Sequence, residues 1–146
     1  MNASTSAPLW LRIAAAVYDL FPLIALWMLT AGSMLLLARG DVDIAHPSFA
    51  YNAALRGALL IVTAAYFVVS WARGGQTIGM RAWRLQVVAN DGGPLSWTRA
   101  GLRFFAALLS LAAIGGGFLW SLFDQRRRCW HDIVARSMLV RVSRPD

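Results

Sequence analysis

The chain has 146 residues, of which 58% are hydrophobic and only 14% are charged. Ordinary globular domains are about 45–50% apolar and about 25% charged, so a soluble protein of this size could not cover its apolar side chains with polar surface. The apolar content excludes disorder, and the single cysteine, Cys129, excludes a disulfide scaffold. We therefore expect a small, all-α integral membrane protein with a single domain over residues 1–146.

All fourteen basic residues are arginines and all seven acidic residues are aspartates, which gives a net charge of +7. The arginines flank apolar segments and do not form one soluble basic face, so nucleic acid is not the expected partner. In a membrane protein the same excess of arginine predicts contact with anionic lipid headgroups.

Two apolar stretches are long enough to cross a bilayer, whose hydrocarbon core is about 30 Å thick. The first covers residues 13–38 and the second covers residues 53–71. Arg56 lies near the start of the second stretch, where its side chain can extend to the interface. Both stretches are predicted to be transmembrane helices.

A third apolar stretch, residues 102–123, is interrupted by three consecutive glycines at 115–117. Glycine disfavours a helix interior by about 1 kcal/mol per residue. We therefore expect a helix that begins near Trp97, with Ser96 as its N-cap, and that ends just before the glycines. A second short helix would cover residues 118–123. The segment is either a third span or a re-entrant hairpin that enters and leaves the membrane on one face.

The distribution of arginine predicts the orientation of the chain. Five arginines lie between residues 72 and 103, and six lie in the tail at 124–146. The positive-inside rule places the connection at 72–101, the tail and the N-terminus in the cytoplasm. This favours the re-entrant hairpin, because a third span would export the tail. Two β-like runs, at 84–88 and 137–142, could then pair as a small cytoplasmic two-stranded ribbon.

Five short motifs follow one another along the chain: LRIAAAVYD at 11–19, GQTIGMR at 75–81, LQVV at 85–88, DGGP at 91–94 and RRRCWHD at 126–132. In their order and spacing they resemble the RDD family of bacterial membrane proteins. The resemblance extends over residues 12–142, which is nearly the whole chain.

The RDD family takes its name from one arginine and two aspartates. The resemblance carries these onto Arg12, Asp19 and Asp132, with Asp124 as the alternative for the last. It implies a multi-pass protein of the bacterial inner membrane, whose N-terminus the positive-inside rule places in the cytoplasm. It also implies a possible role in transport, of which the family is suspected.

Asp19 is the sharpest candidate site residue, because an ionisable group inside an apolar helix is costly and is a functional-site hypothesis by default. It lies two turns from Arg12, about 10 Å along the helix axis, which is too far for a direct bond. We expect Asp19 to pair with Arg103 or Arg56, or else to be protonated. It is either part of a buried pair that fixes helix packing or a proton or cation site.

Asp132 follows His131 in the basic tail, and we expect it to pair with Arg12 or with the arginines at 126–128. Neighbouring side chains point in different directions on most backbones, so catalysis by the adjacent histidine and aspartate is not expected. No group of His, Cys and Asp has metal-ligand spacing in the sequence. Without a nucleophile–base pair or a cofactor fingerprint, neither an enzyme nor a cofactor is predicted.

The glycine-rich run at 74–79, which includes Gln76, is expected to form a tight turn at the membrane exit. Arg81 and Arg84 lie just beyond it and could hold lipid phosphates. Relatives often have a Gly-Thr step before the final β-like run, but this chain has Arg-Ser at 136–137.

Two functions are compatible with these features. The first is transport, such as cation/proton exchange at Asp19, by a homo-oligomer, because two spans and a hairpin cannot enclose a pathway. The alternative is a non-catalytic structural or accessory membrane module that binds anionic lipid or a membrane-protein partner.

Overall fold

The computed structural model describes residues 7–38, 42–43, 45–113, 116–124 and 128–142. Its longest elements are α1 (Leu9–Leu37) and α2 (Phe49–Gly74), which pack against each other. Among the described residues, these two helices are long and apolar enough to cross a membrane. Helix α2 extends beyond its predicted span at both ends, whereas α1 begins before its predicted span and ends one residue short of it. The 29 residues of α1 rise about 44 Å.

The end of α2 is a tight turn, as the glycine-rich run predicts. Gly75 has a φ of 66° and caps α2 in the left-handed region, which glycine adopts at low cost. A short helix, α3 (Ile78–Ala82), follows at once. Its N-cap is Thr77, whose hydroxyl accepts a hydrogen bond from the Met80 N–H at 3.2 Å.

The predicted ribbon is confirmed as a two-stranded antiparallel sheet. Strand β1 (Leu85–Ala89) pairs with β2 (Ser137–Arg141) in a register that sets Leu85 opposite Arg141. Burial alternates along β1, so one face of the sheet packs on the helices. The N–H of Ala7 donates to the carbonyl of Leu139 at 2.7 Å, which attaches the start of α1 to the sheet.

The third apolar segment does not form one long helix. Helix α4 (Trp97–Ala112) is capped by Ser96, as predicted, and is only about 24 Å long. It is followed by α5 (Gly116–Leu119), a short 3-10 helix (Trp120–Leu122) and α6 (Trp130–Val134). A Cβ atom on Gly117 would lie 2.1 Å from the Ser110 hydroxyl, so the chain folds back onto α4. The first glycine of the interruption, Gly115, lies outside the described residues.

The core gathers at one end of the molecule, where α1 begins and α2 ends. Phe67 of α2 packs against Trp71 and against Phe104 of α4, with ring centroids 5.3 Å and 6.2 Å apart. The remaining buried apolar side chains of this core include Leu11, Leu85, Val87, Leu95 and Leu139. Away from this end the long helices expose large apolar side chains, such as Phe21 at 72%, as expected of surfaces that face lipid.

Candidate functional site

Asp132 lies in the first turn of α6 and is fully buried. Its Oδ2 atom accepts from Arg12 Nη1 at 2.7 Å and from the Cys129 N–H at 3.0 Å. Its Oδ1 atom accepts from Arg103 Nη1 at 2.5 Å. The structure thus forms the predicted ion pair between Arg12 and Asp132 and adds Arg103 to it.

Both arginines are held in place by further contacts. Arg12 Nε donates to the carbonyl of Ala7 at 3.1 Å. Arg103 Nη1 also donates to the hydroxyl of Ser137 at 2.7 Å, and its guanidinium lies over the ring of Trp71, 5.1 Å from the centroid. This cluster joins α1, α2, α4, α6 and β2 through charged and aromatic groups.

Burial and the two guanidinium groups set the electrostatics of this cluster. Burial by itself would raise the pKa of Asp132, but Arg103 and Arg12 outweigh it and lower the pKa below its ordinary value. Burial, and then the charge of Arg103, lowers the pKa of His131 to about 3. His131 is therefore neutral near pH 7. Burial raises the pKa of the Cys129 thiol.

From the sequence we expected no group of His, Cys and Asp with the spacing of metal ligands, but the structure brings Cys129, His131 and Asp132 together. Their ligand atoms lie within 4.8 Å of one another, since all three belong to the capping turn of α6. However, guanidinium groups occupy both carboxylate oxygens, and Arg12 Nη1 also lies 3.3 Å from the Cys129 sulfur. A metal cation here would meet two fixed positive charges, so the arrangement fits an ion-pair network and we assign no metal to it.

Asp124, the alternative second aspartate of the family, lies in a different environment. It forms an ion pair with Arg128, whose Nε is 3.1 Å from Asp124 Oδ2. The Arg128 N–H donates to the same oxygen at 2.9 Å. The neighbouring arginines at 126 and 127, proposed as partners of Asp132, lie outside the described residues.

Asp19 is also buried, with 2% of its surface exposed, but its partners are not arginines. Its Oδ1 atom accepts from the Tyr66 hydroxyl at 2.6 Å and from the Gly79 N–H at 2.8 Å. Its Oδ2 atom accepts from the Thr77 hydroxyl at 2.6 Å. The prediction that Arg103 or Arg56 pairs with Asp19 was therefore wrong.

The reason for this error is the position of each arginine along the bundle. Arg103 binds Asp132, as described above, and Arg56 is exposed near the start of α2. Asp19 instead faces the chain that leaves α2 at its other end. Residues from that segment fold over the carboxylate and supply neutral donors.

A close approach of two backbones places α3 against Asp19. A Cβ atom on Gly79 would lie 2.1 Å from the carbonyl oxygen of Ala15 and 2.9 Å from Asp19 Cγ. The N–H of Ile78 also donates to the Tyr66 hydroxyl at 3.3 Å. Only glycine fits at position 79, so the sequence itself prescribes the contact between α3 and α1.

Three residues of this second cluster were not predicted from the sequence. Thr77 and Gly79 lie within the GQTIGMR motif, so their place in the motif was the available signal. Tyr66 carries a weaker signal, namely a hydroxyl within an apolar span, where it needs a hydrogen-bond partner.

Comparison with known families decides the classification. The family model described as RDD family matches residues 6–136. The chain belongs to the RDD family. Neither the curated proteins nor the solved structures gave a significant match to it.

In this RDD protein the three residues that the resemblance singles out lie in two separate clusters. Arg12 and Asp132 share one cluster with Arg103, whereas Asp19 lies in the other with Tyr66, Thr77 and Gly79. Both clusters join α1 to segments that follow α2.

The remaining candidates of the RDD protein divide into one structural residue and two exposed arginines. Gln76 Nε2 donates to the carbonyl of Leu85 at 2.8 Å, which ties the exit turn of α2 to the sheet. Arg81 and Arg84 are exposed, and Arg84 has a φ of 54°.

Proposed function

We propose that this RDD protein is a non-catalytic accessory module of the membrane, whose buried aspartates fasten its helices and whose basic end contacts anionic lipid. The observation that carries the proposal is the bonding of Asp19. Its carboxyl group accepts three hydrogen bonds, from α2, from the turn after it and from α3. A group that carries ions must exchange its ligands with water, whereas these donors belong to the fold itself and exclude water.

The second aspartate supports the same proposal. Asp132 is fully buried and shared by two arginines, so protonating or releasing it would leave buried cations without their counter-charge. Both aspartates therefore act as fixed connections in the proposed function, and we assign no catalytic role to either.

The proposed topology has two spans and a re-entrant segment. The Asn90 N–H donates to the carbonyl of Arg136 at 3.0 Å, and β1 pairs with β2 beyond it. Residues that pair in a sheet must share one side of a bilayer, which supports an α4–α5 hairpin that returns to the face it entered. The excess of arginine at this end favours the cytoplasmic face of a bacterial inner membrane, with the N-terminus also inside.

Cation/proton exchange by a homo-oligomer is the second candidate function. The observation that favours it is the pair of hydroxyl groups on Asp19, from Tyr66 and Thr77, each 2.6 Å from a carboxyl oxygen. Hydroxyl groups can both donate and accept, so they could pass a proton to this carboxyl group.

Reconstituted protein distinguishes the two functions. The wild type, Asp19→Asn and the control Asp43→Asn are compared in proteoliposomes for cation-driven proton flux. They are compared in detergent for unfolding. Asp43 is an exposed acid beyond the other end of α1, with 63% of its side chain accessible. We expect no flux above empty liposomes from any of the three, and a loss of about 1–3 kcal/mol of stability in Asp19→Asn alone.

The opposite result would be flux in the wild type that persists in Asp43→Asn and disappears in a folded Asp19→Asn. That result would establish exchange at Asp19 and overturn the accessory function.

The proposed topology is tested by labelling with a membrane-impermeant maleimide. The native Cys129 is fully buried and cannot react with the maleimide, so single exposed cysteines are introduced in a Cys129→Ser background. We expect Asn90→Cys and Arg136→Cys to react only after permeabilisation, and His46→Cys to react in intact cells. Opposite accessibility of positions 90 and 136 would establish a third span instead.

A further inference from the structure

Four exposed arginines surround the point where the chain leaves α2. Arg73 lies in the last turn of α2, Arg81 in α3, Arg84 directly before β1, and Arg141 at the end of β2. Among the described residues none of these four forms an ion pair. This set, called the exit arginines below, is a local excess of four positive charges.

Backbone contacts bring the exit arginines into one corner of the molecule. A Cβ atom on Gly74 would lie 3.7 Å from Arg81 Nη2, so the Arg81 guanidinium lies beside the last turn of α2. The N–H of Val142 donates to the carbonyl of Arg84 at 2.8 Å, which makes Arg84 and Arg141 neighbours across the sheet. The carbonyl of Gly75 accepts from the Val87 N–H at 2.7 Å and ties this sheet to the end of α2.

An aromatic cluster lies beside the exit arginines, since Trp83 directly precedes Arg84. The ring of Trp83 packs edge-on against Trp10 and against Tyr18, with both centroids 5.9 Å away. In α3, the helix that carries Arg81, 57% of the Ile78 surface is exposed. Tryptophan and tyrosine at the end of an apolar helix are typical of the membrane–water interface. The exit arginines therefore lie where lipid headgroups would be.

We propose that the exit arginines bind the phosphate group of an anionic phospholipid. Guanidinium groups suit phosphate because they donate paired, charge-assisted hydrogen bonds in a planar fork. The exposed Ile78 and the aromatic cluster beside them provide an apolar surface for the start of the acyl chains. This inference deepens the proposed function, because it rests on the accessory role and names the ligand of the basic end.

The test measures lipid retained by detergent-purified protein, with native mass spectrometry, after addition of phosphatidylglycerol or phosphatidylcholine. The variant Arg81→Gln/Arg84→Gln removes two exit arginines. The matched control is Arg56→Gln, which removes an exposed arginine about 25 Å away along α2. A juxtamembrane arginine contributes about fivefold to the binding of an anionic surface, so the double variant should bind phosphatidylglycerol about 25-fold more weakly.

We expect the wild type and Arg56→Gln to retain phosphatidylglycerol in preference to phosphatidylcholine, and the double variant to lose that preference while it elutes as a folded protein. Equal retention by the double variant would overturn the proposal, as would an equal loss in Arg56→Gln. Displacement of the lipid by millimolar inorganic phosphate would assign the site to a soluble phosphate and also overturn it. None of these outcomes depends on the flux measurement, so the accessory function and this site can fail separately.

Discussion

Arg12 and Asp132 are 120 residues apart in the sequence, yet Arg12 Nη1 lies 2.7 Å from Asp132 Oδ2. The bond joins the first turns of α1 to the capping turn of α6, and Arg103 of α4 binds the other carboxyl oxygen. One buried carboxylate thus pairs with two buried cations from two helices. The carboxylate is the member that both arginines need, because removing it leaves two cations unpaired away from water.

Replacing Asp132 tests this dependence. We expect Asp132→Ala to lower the free energy of unfolding by about 3–5 kcal/mol, because Arg12 and Arg103 would then face each other without a counter-charge. The measurement is denaturant unfolding in detergent micelles, followed by tryptophan fluorescence. Asp124→Ala is the control, since it breaks a pair that is only partly buried and should cost about 1 kcal/mol or less. Equal losses of unfolding free energy in the two variants would mean that the buried cluster stabilises the protein no more than the partly buried pair does.

Replacing Gly79 tests the contact between α3 and α1. We expect Gly79→Ala to cost about 1–3 kcal/mol or more, because the added Cβ would overlap the Ala15 carbonyl and force α3 away from Asp19. Gly57→Ala in α2 is the matched control, since nothing lies within 4 Å of its added methyl group. There the substitution should be neutral or stabilise by up to about 1 kcal/mol, as helix propensity predicts. A tolerated alanine at 79 would contradict the close approach.

Stability should fall between pH 6.5 and pH 3 because of His131. Its pKa is lowered to about 3 in the folded protein, so over this range the unfolded chain binds the proton and the folded chain does not. The stability that depends on neutral His131 is therefore fully present above pH 6.5, the pKa of histidine in the unfolded chain, and it decreases as the pH falls. From pH 7.5 to pH 5 the loss should be about 2 kcal/mol, measured by unfolding in detergent at each pH.

Two substitutions separate this effect from other titrations. His131→Phe removes the titrating ring and should flatten the profile between pH 7.5 and pH 5. His46→Gln removes the other histidine, whose side chain is 88% accessible, and should leave the profile unchanged. A profile that stays steep in His131→Phe would assign the pH dependence to another group.

The backbone of the turn before β2 is strained at Arg136, and a glycine at this position should relieve the strain. Arg136 has a φ of 46°, in the left-handed region, which costs a residue with a side chain about 1–2 kcal/mol. We expect Arg136→Gly to raise the unfolding free energy by about 0.5–1 kcal/mol, part of the gain being offset by the extra freedom of glycine when unfolded. Arg136→Ala keeps the Cβ and should show no such gain.

Local features of the fold were predictable because they depend on residues close together in the chain. The two long apolar helices follow from the length of their stretches, and the cap of α4 follows from Ser96. The sheet and the turn at Gly75 follow from short β-like runs and from glycine. Even the break in the third stretch follows from the low helix propensity of consecutive glycines.

The partners of Asp19 could not be predicted in the same way. Sequence spacing alone excluded a direct bond between Arg12 and Asp19, and the resemblance singled out the right residue types. Yet Tyr66, Thr77 and Gly79 lie 47, 58 and 60 residues after Asp19, and no local periodicity connects them. The separation of 29 residues between Arg103 and Asp132 likewise hid that pair.

The sequence by itself determined that this is an apolar, arginine-rich chain with two helices long enough to span a membrane, because length and composition set how much of its surface can face water. The resemblance to the RDD family came from the order and spacing of its motifs. Only the tertiary structure decided which donor serves which buried aspartate. That choice depends on how α3 and α4 pack against α1 and α2, since a buried carboxyl group bonds to whatever donors the packing brings within about 3 Å.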